Sequence, residues 1–233
     1  MAADVPTRKT PRGSVLGRDR ILQAMERVPR ERFISPSLGP LAYAGYALPI
    51  GGEQTISSVE TVVLLCEALL LRGGERILEI GTGSGYQAAV MAELGCKVYS
   101  VERVAELSRA ARKLLDKLGY LQVLVRWGDG GDGWPAHAPY DRIVVTAACP
   151  RVPEPLPEQL GRGGVMVVPA GERRNQRLIR ITRGISGRLM STVLEPCNFV
   201  PLLGRWGWSE KSACQTSGPG MRGGGDPGGD LWA

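Results

Sequence analysis

The chain has 233 residues, a length that suits one domain or one domain with a small appendage. Hydrophobic residues make up 43% of it, which excludes a chain that is disordered throughout. The net charge of +6 is a mild excess that an ordinary basic surface explains, so composition alone does not indicate nucleic-acid binding.

Residue counts exclude several kinds of active site. His137 is the only histidine and lies in a loop-like segment between Pro135 and Pro139, so a Ser-His-Asp triad or a His-rich zinc site would depend on it alone. The five cysteines are far apart and include no Cys-x-x-Cys pair, so we predict no metal site. Cys66 and Cys96 lie in apolar runs and are expected to be buried, reduced thiols.

The sequence predicts neither a signal peptide nor a membrane span. Residues 1–13 are polar and lack the apolar core of a signal peptide. The most apolar stretch, residues 59–71, is too short to cross a bilayer and carries Glu60 and Glu67. We therefore expect a cytoplasmic protein that is not bound to a membrane.

In chain order, the first 72 residues predict a tail and then a helical segment. Residues 1–17 are expected to form a flexible basic tail. Residues 18–28 carry apolar side chains at the i, i+3, i+4, i+7 spacing of a helix, which Pro29 ends. The stretch 33–52 is rich in Pro and Gly and is expected to be irregular, and residues 59–71 predict a second helix. Residues 18–72 are thus an N-terminal helical extension.

From residue 73 to residue 208, strands alternate with helices. The predicted strands are 76–80, 97–101, 122–127, 142–146 and 165–169, and the predicted helices are 87–94 and 105–118. This alternation is typical of an α/β fold with a doubly wound, mostly parallel sheet. Residues 177–183 and 189–194 flank Ser186-Gly187 and predict an antiparallel hairpin at the sheet edge. The Gly-rich segment 209–233 is expected to be disordered.

A glycine-rich loop follows the first predicted strand and opens a helix. Its residues are Glu79, Ile80, Gly81, Thr82, Gly83, Ser84, Gly85 and Tyr86. Glycines at such a turn let the backbone approach a ligand closely. The third glycine of a nicotinamide fingerprint is absent, because Tyr86 occupies its position, and a Walker lysine is absent too. The G-x-G-x-G spacing two residues after an acid is typical of the S-adenosylmethionine loop of class I methyltransferases.

Two further acids follow the next two strands. Glu102 ends the second strand and is expected to accept hydrogen bonds from ribose hydroxyls. Asp129, followed by Gly130, comes after the third strand and is expected to accept from an adenine amino group. Taken singly, Glu102 also suits a helix start, and Asp129-Gly130 also suits a simple turn. Their occurrence with Glu79 at three successive strand ends favours a cofactor site.

Several segments together resemble the protein-L-isoaspartate O-methyltransferase family of class I methyltransferases. They are residues 28–33 (VPRERF), 48–51 (LPIG), 54–57 (QTIS), 79–87 (EIGTGSGYQ), 128–130 (GDG), 133–135 (GWP), 138–141 (APYD), 145–148 (VTAA) and 199–202 (FVPL). The resemblance covers roughly residues 18–205. The QTIS and VTAA segments are the most specific to the family.

The resemblance implies an enzyme that uses S-adenosyl-L-methionine to methylate the free carboxylate of L-isoaspartyl residues in damaged proteins or peptides. The ester then closes to a succinimide, which reopens in part to normal aspartate. Ser57 matches the family's active-site serine. Cofactor contacts carry over to the glycine loop and to Glu102, Arg103, Asp129 and Gly130. On the substrate side the resemblance places Gln54, Thr55, Ile56 and Thr146, together with the extension 18–72. We expect a monomer that binds no nucleic acid.

Ser57 also has a purely structural interpretation. The pattern Ser57-x-x-Glu60 before an apolar run is a capping box at a helix start. Both roles are compatible, because the N–H groups of a helix start favour anions. The chain departs from the family's usual residues at 58–61, at Gly45 and at Leu203, which border the expected substrate site and leave peptide selectivity open.

Three other functions stay open on the sequence alone. A carboxylate methyltransferase dedicated to one peptide is favoured by the altered segment 58–61. A cofactor-binding protein without turnover is disfavoured by the intact Ser57, Glu79, Glu102 and Asp129. A nucleic-acid methyltransferase is disfavoured because the loop after the fourth strand, residues 146–150, has no aromatic residue on which a base could stack.

Overall fold

The computed structural model describes residues 14–209. Most of the tails expected at 1–17 and 209–233, namely residues 1–13 and 210–233, therefore lies outside the described range. Leu16, which the sequence placed in the N-terminal tail, is buried. Its N–H donates to the Leu71 carbonyl at 2.7 Å, which anchors the chain just before the first helix.

A small antiparallel hairpin precedes the main sheet. Its strands are β1 (Leu48–Gly51) and β2 (Gln54–Ile56). The expectation that residues 33–52 are irregular is therefore wrong for residues 48–51. Pro and Gly within the strand concealed it, but the pairing of Leu48 with Ile56 buries both side chains and secures the hairpin. The rest of the stretch holds single 3₁₀ turns at Arg30–Phe33 and Pro36–Leu41.

A seven-stranded sheet forms the body of the protein. Its strands are β3 (Arg76–Ile80), β4 (Lys97–Glu102), β5 (Val123–Trp127), β6 (Tyr140–Val145), β7 (Leu160–Glu172), β8 (Asn175–Arg183) and β9 (Leu189–Cys197). Their order across the sheet is β5-β4-β3-β6-β7-β8-β9. Strands β3 to β7 are parallel, and β8 and β9 are antiparallel to their neighbours. The mostly parallel sheet with an antiparallel hairpin at its edge is confirmed.

The helices are α1 (Arg18–Arg27), α2 (Val59–Ala68), α3 (Tyr86–Glu93), α4 (Ala105–Lys117) and the short α5 (Pro155–Glu158). In α4 the buried residues Ser108, Ala111 and Leu115 share one face, as an amphipathic helix on a sheet requires. Helix α2 ends three residues before its predicted end. Leu70 has a φ of 54°, a left-handed conformation that cannot continue a helix.

Two apolar layers cover the sheet, because side chains alternate between its faces along each strand. Ile77, Val98 and Val144 face the layer that contains α1, α2 and α3. Leu78 and Tyr99 face the second layer, which contains α5 and the chain around residues 134–149. This packing fixes the register of the parallel strands, so their carboxyl ends meet along one edge.

Two other expectations concern thiols and membranes. Cys66 and Cys96 are buried free thiols, as predicted. Among residues 14–209, no helix combines the length and the apolar character needed to cross a bilayer.

A buried ion pair lies at the opposite edge of the sheet, where the parallel strands begin. The Glu75 carboxylate accepts from the N–H groups of Arg72 and Gly73 at 2.6 and 2.8 Å. Its Oε1 atom lies 3.5 Å from Nη2 of Arg142, and both side chains are 8% exposed. The pair and the two backbone bonds close the turn between α2 and β3.

Replacing Arg142 with Met should therefore lower the free energy of unfolding, because it leaves the Glu75 carboxylate buried without its counter-ion. Breaking a buried pair in this way costs about 3–5 kcal/mol, and we expect the lower end because Glu75 keeps its two backbone donors. Chemical denaturation of both proteins measures the difference. A loss below about 0.5 kcal/mol, the level of an ordinary surface change, would contradict this role.

Candidate active site

The glycine loop crosses the edge of the sheet between β3 and α3. Gly81 has a φ of 96°, and a Cβ atom there would lie 2.4 Å from Oγ1 of Thr146, so only glycine fits. The Thr146 hydroxyl hydrogen is shared between the carbonyls of Ile80 and Gly81, at 3.0 and 2.8 Å. Thr146, expected on the substrate side, lines the cavity described below but uses its hydroxyl to hold the loop.

Glu102 links the loop to the end of β4. Its Oε2 atom accepts from the N–H of Gly83 and its Oε1 atom accepts from the N–H of Val104, both at 2.8 Å. The side chain is 5% exposed, yet it forms part of the cavity wall. Each carboxylate oxygen retains a lone pair, so Glu102 can still accept from a ligand as the sequence predicted.

Glu79 lies behind the loop and has no exposed surface. Its Oε2 atom accepts from the Ser100 hydroxyl at 2.5 Å, and the hydroxyls of Ser100 and Thr82 are also 2.5 Å apart. Since the Ser100 hydroxyl donates its hydrogen to Glu79, the Thr82 hydroxyl is the donor in its bond with Ser100. Burial raises the pKa of Glu79 to about 8, against the lowering effect of the Ser100 bond. Glu79 thus supports the loop through Ser100 and Thr82 and does not reach the cavity.

A polar cavity opens beside the loop. Its wall consists of Gln54, Thr55, Ile56, Ser57, Val62, Gly81, Thr82, Gly83, Ser84, Tyr86, Gln87, Glu102, Thr146 and Val200. Loop glycines and the expected active-site serine therefore border the same space, although residues 57 and 81 come from different parts of the chain.

A second, more apolar cavity continues from the first. Its wall consists of Gln54, Ile80, Gly81, Val101, Glu102, Arg103, Val104, Gly130, Ala147, Pro201, Leu202 and Leu203. Gln54, Gly81 and Glu102 border both cavities, so the two cavities are neighbours. We call the pair the elongated space; its polar half is the first cavity, whose wall has more polar residues, and its apolar half is the second.

Ser57 does not cap the following helix. The N-cap of α2 is Ser58, whose side-chain oxygen accepts from the N–H of Thr61 at 3.2 Å. The capping-box interpretation of Ser57 is therefore wrong by one residue. The Ser57 hydroxyl has no hydrogen-bond partner among residues 14–209, and Ser57 is half-buried in the cavity wall. Its hydroxyl is available to a ligand.

Asp129 holds the chain that covers the apolar cavity. Its Oδ1 atom accepts from the N–H of Gly131 and its Oδ2 atom accepts from the N–H of Arg205, both at 2.9 Å. Asp132 accepts from the Trp206 indole at 2.9 Å on the same segment. The structure places Asp129 behind the cavity wall, whereas its neighbour Gly130 forms part of the wall.

Sequence reasoning quoted residues 199–202 for the family resemblance and placed Leu203 beside the expected substrate site, but it did not place the segment in the wall of the elongated space. The segment pairs with the chain after β6 through the bonds Ala148 N–H to Val200 O and Leu202 N–H to Ala148 O. Val200 borders the polar cavity, and residues 201–203 border the apolar cavity. The only signal in the sequence was that an apolar FVPLL run lies outside the predicted hairpin.

The comparisons with known proteins agree with this geometry. The model of the protein-L-isoaspartate(D-aspartate) O-methyltransferase family matches residues 8–207. The chain belongs to this family. Protein-L-isoaspartate O-methyltransferase 2 of Geotalea uraniireducens is 49% identical over 190 residues, which cover 82% of this chain and 88% of that protein. The corresponding protein of Dictyoglomus turgidum is 50% identical over 191 residues, covering 82% and 86%.

Solved structures of the family share the fold. One protein-L-isoaspartate O-methyltransferase is 32% identical with a TM-score of 0.74, over 81% of this chain and 62% of that chain. This chain thus spans less than two thirds of that protein. A Plasmodium falciparum protein described by the same activity, in complex with S-adenosyl-L-homocysteine, has a TM-score of 0.70 at 24% identity, over 79% of this chain and 90% of that chain.

The contact between Gly81 and Thr146 yields a mutational prediction. Gly81→Ala should weaken binding of S-adenosylmethionine by at least about tenfold, because the added Cβ atom pushes the loop away from Thr146. Gly187→Ala is the matched control, because Gly187 also has a positive φ, 92°, but has nothing within 4 Å of the added atom. It should lose only about 1–2 kcal/mol of stability from the left-handed backbone. Calorimetry that gives both variants wild-type affinity would show that the loop does not need this contact.

The raised pKa of Glu79 predicts a pH-dependent loss of stability. The group titrates near 8 when folded and near 4.5 when unfolded, so between these values the folded state binds more protons. The contribution of Glu79 to the free energy of unfolding is therefore complete below about pH 4.5 and is lost as the pH rises through 8. Over that range the free energy of unfolding falls by at most about 1.4 kcal/mol per pH unit.

In Glu79→Gln this slope should vanish. Comparing the free energies of unfolding of the two proteins from pH 5 to pH 8.5 isolates the contribution of Glu79, because every other group is shared. A difference that stays constant with pH would mean that Glu79 is ionised in the folded protein.

Proposed function

We propose that this protein transfers a methyl group from S-adenosyl-L-methionine to the free carboxylate of L-isoaspartyl residues in damaged proteins or peptides. One observation carries the proposal: the unpartnered Ser57 hydroxyl and the glycine loop border the same cavity. Membership of the family supplies the reaction, and the shared cavity supplies a place where donor and acceptor meet. The methyl ester then closes to a succinimide, which initiates repair.

The elongated space suits the cofactor. The apolar half, with Ile80, Val101 and Leu202 in its wall, has the apolar character that suits an adenine ring. At Gly130 a Cβ atom would clash with the Ile80 side chain, so the glycine lets this wall pack closely. Glu102, at the junction of the two halves, accepts from the ribose hydroxyls, with Arg103 beside it. The glycine loop holds the methionine end of the cofactor, through residues Gly81, Thr82, Gly83, Ser84 and Gly85. When bound, the cofactor supplies a methyl group on a positively charged sulfur.

In this proposal, two acids that were expected to touch the cofactor act on its site through other residues instead. Glu79 stiffens the loop through Ser100, and Asp129 holds the backbone of Gly131 and of Arg205, next to the wall residues Gly130 and Leu203. Glu79 lies near the end of β3 and Asp129 follows β5, but their oxygens are directed at other parts of the protein.

The substrate needs alignment more than activation. A carboxylate with a pKa near 4 is already ionised at neutral pH, so the reaction requires no general base. The Ser57 hydroxyl donates a hydrogen bond that orients the carboxylate toward the methyl carbon. Complete alignment of two reactants can supply about 7–11 kcal/mol of rate enhancement, and the Ser57 bond provides one part of it. Gln54, Thr55 and Ile56 belong to the same strand and border the peptide, while Thr146 fixes the loop opposite them.

Ser57 and Ser58 provide a matched pair for testing this role. Ser57→Ala should lower kcat/KM for an isoaspartyl peptide by roughly 10–150-fold, the effect of losing one hydrogen bond to a charged group, with cofactor affinity unchanged. Ser57→Asp should be less active still, because its charge repels the substrate carboxylate. Ser58→Ala should lower stability by about 0.5–2 kcal/mol through loss of the cap, with turnover per folded molecule retained.

The assay follows methyl ester formation by mass spectrometry on an isoaspartyl peptide and on the matched aspartyl peptide. Wild-type enzyme should methylate only the former, on several unrelated sequences. Methylation confined to one sequence would indicate an enzyme dedicated to one peptide. Equal turnover by wild-type, Ser57→Ala and Ser57→Asp proteins would overturn the assignment of Ser57.

A further inference from the structure

Arg30 is a fully buried cation close to the proposed active site. Its side chain has no exposed surface, and among residues 14–209 no carboxylate forms an ion pair with it. Burial lowers the pKa of its guanidinium from the usual value. An arginine buried without a counter-ion is costly, so the contacts that it makes in compensation indicate what it does.

The guanidinium makes three contacts with three separate parts of the chain. Its Nη2 atom donates to the carbonyl of Ser57 at 2.7 Å. Its Nε atom donates to the carbonyl of Ala42 at 2.7 Å. Its central carbon lies 4.8 Å from the centre of the Tyr86 ring, within the range of a cation–π contact.

Tyr86 connects these contacts to the cofactor side. It is the last residue of the glycine loop and the first residue of α3, and it borders the polar cavity. Phe33, from the same 3₁₀ turn as Arg30, packs edge-on against its ring at 5.5 Å between centres. Burial raises the pKa of Tyr86 to about 12, so its hydroxyl stays neutral beside the Arg30 cation.

Ser57 has little else to hold it. Its hydroxyl has no partner within residues 14–209, and Ser57 lies between the end of β2 and Ser58, the N-cap of α2. Arg30 therefore links the backbone of Ser57 to the residue that ends the glycine loop. Only a forked donor reaches two carbonyls and a ring at once, and a lysine in its place retains the charge but loses the fork.

We propose that Arg30 is a positioning residue, which fixes Ser57 relative to the glycine loop so that the serine hydroxyl meets the substrate carboxylate where the methyl group is presented. It touches neither substrate nor cofactor and acts through Ser57 and Tyr86. This inference rests on the proposed function for its kinetic consequence, but its structural consequence is independent of turnover.

The kinetic test is a double-mutant cycle of Arg30→Lys and Ser57→Ala in the full-length enzyme. Arg30→Lys alone should lower kcat for an isoaspartyl peptide by up to about 100-fold, the effect of a small misplacement of an aligning group. Affinity for S-adenosylhomocysteine should change little. In the Ser57→Ala background, Arg30→Lys should change kcat by no more than about 2-fold, because the group that it positions is already gone.

Arg142→Lys is the matched control, because Arg142 is also a buried arginine but lies at the other edge of the sheet. It should lower the melting temperature and leave kcat per folded molecule unchanged. If Arg30 had a merely structural role, Arg30→Lys would behave like Arg142→Lys, with a lower melting temperature and unchanged kcat. Alternatively, the losses of kcat in Arg30→Lys and Ser57→Ala would multiply in the double variant. Either result would overturn the proposal.

A second measurement does not require turnover. Amide hydrogen exchange of residues 54–58 should accelerate in Arg30→Lys, whereas exchange in β8 and β9 should match wild-type protein. Unchanged exchange at 54–58 overturns the inference even if the enzyme is inactive on isoaspartyl peptides. If Arg30→Lys fails to fold, Tyr86→Leu, which removes the ring face, should give the same local acceleration. Wild-type protein without isoaspartyl activity would instead count against the proposed function.

Discussion

The close approach of Gly81 to Thr146 is the contact on which the site depends. Parallel strands β3 and β6 lie side by side, so the residues that follow them must turn away from the sheet at the same place. Glycine at position 81 and the hydroxyl of Thr146 let two segments of the chain occupy that place, and the hydroxyl donates to the carbonyls of Ile80 and Gly81. The loop then leaves the sheet in a fixed direction and forms one wall of the cavity.

A layer of buried polar groups keeps the loop rigid from behind. Glu79, Ser100 and Thr82 are joined by two short hydrogen bonds, and Glu102 accepts from the loop N–H of Gly83. Each of these buried hydrogen bonds constrains the two residues that it joins. The opposite wall comes from the N-terminal extension, where Arg30 performs the corresponding task for Ser57. The site thus forms where the glycine loop and the N-terminal extension face each other, and each of them is held in place by its own buried contacts.

Much of this arrangement was predictable from the sequence, because it depends on local rules. Strand and helix alternation gave the parallel sheet, and the G-x-G-x-G loop after β3 gave the cofactor side. Roles that depend on the path of distant segments were not predictable. Ser58 caps α2 in place of Ser57, because the chain leaves the β2 hairpin one residue later than the capping pattern suggested. Asp129 is turned toward Arg205, and nothing in either local sequence specifies that partner.

The central claim is that one cavity presents the methyl donor to a carboxylate that Ser57 holds. A crystal structure with S-adenosylhomocysteine and an isoaspartyl peptide tests it most directly, through the position of the substrate carboxylate. We expect one of its oxygens about 2.5–3.0 Å from the Ser57 hydroxyl oxygen and directed at the cofactor sulfur. A carboxylate bound away from Ser57, or a cofactor bound outside the space between Gly81 and Glu102, would contradict the claim.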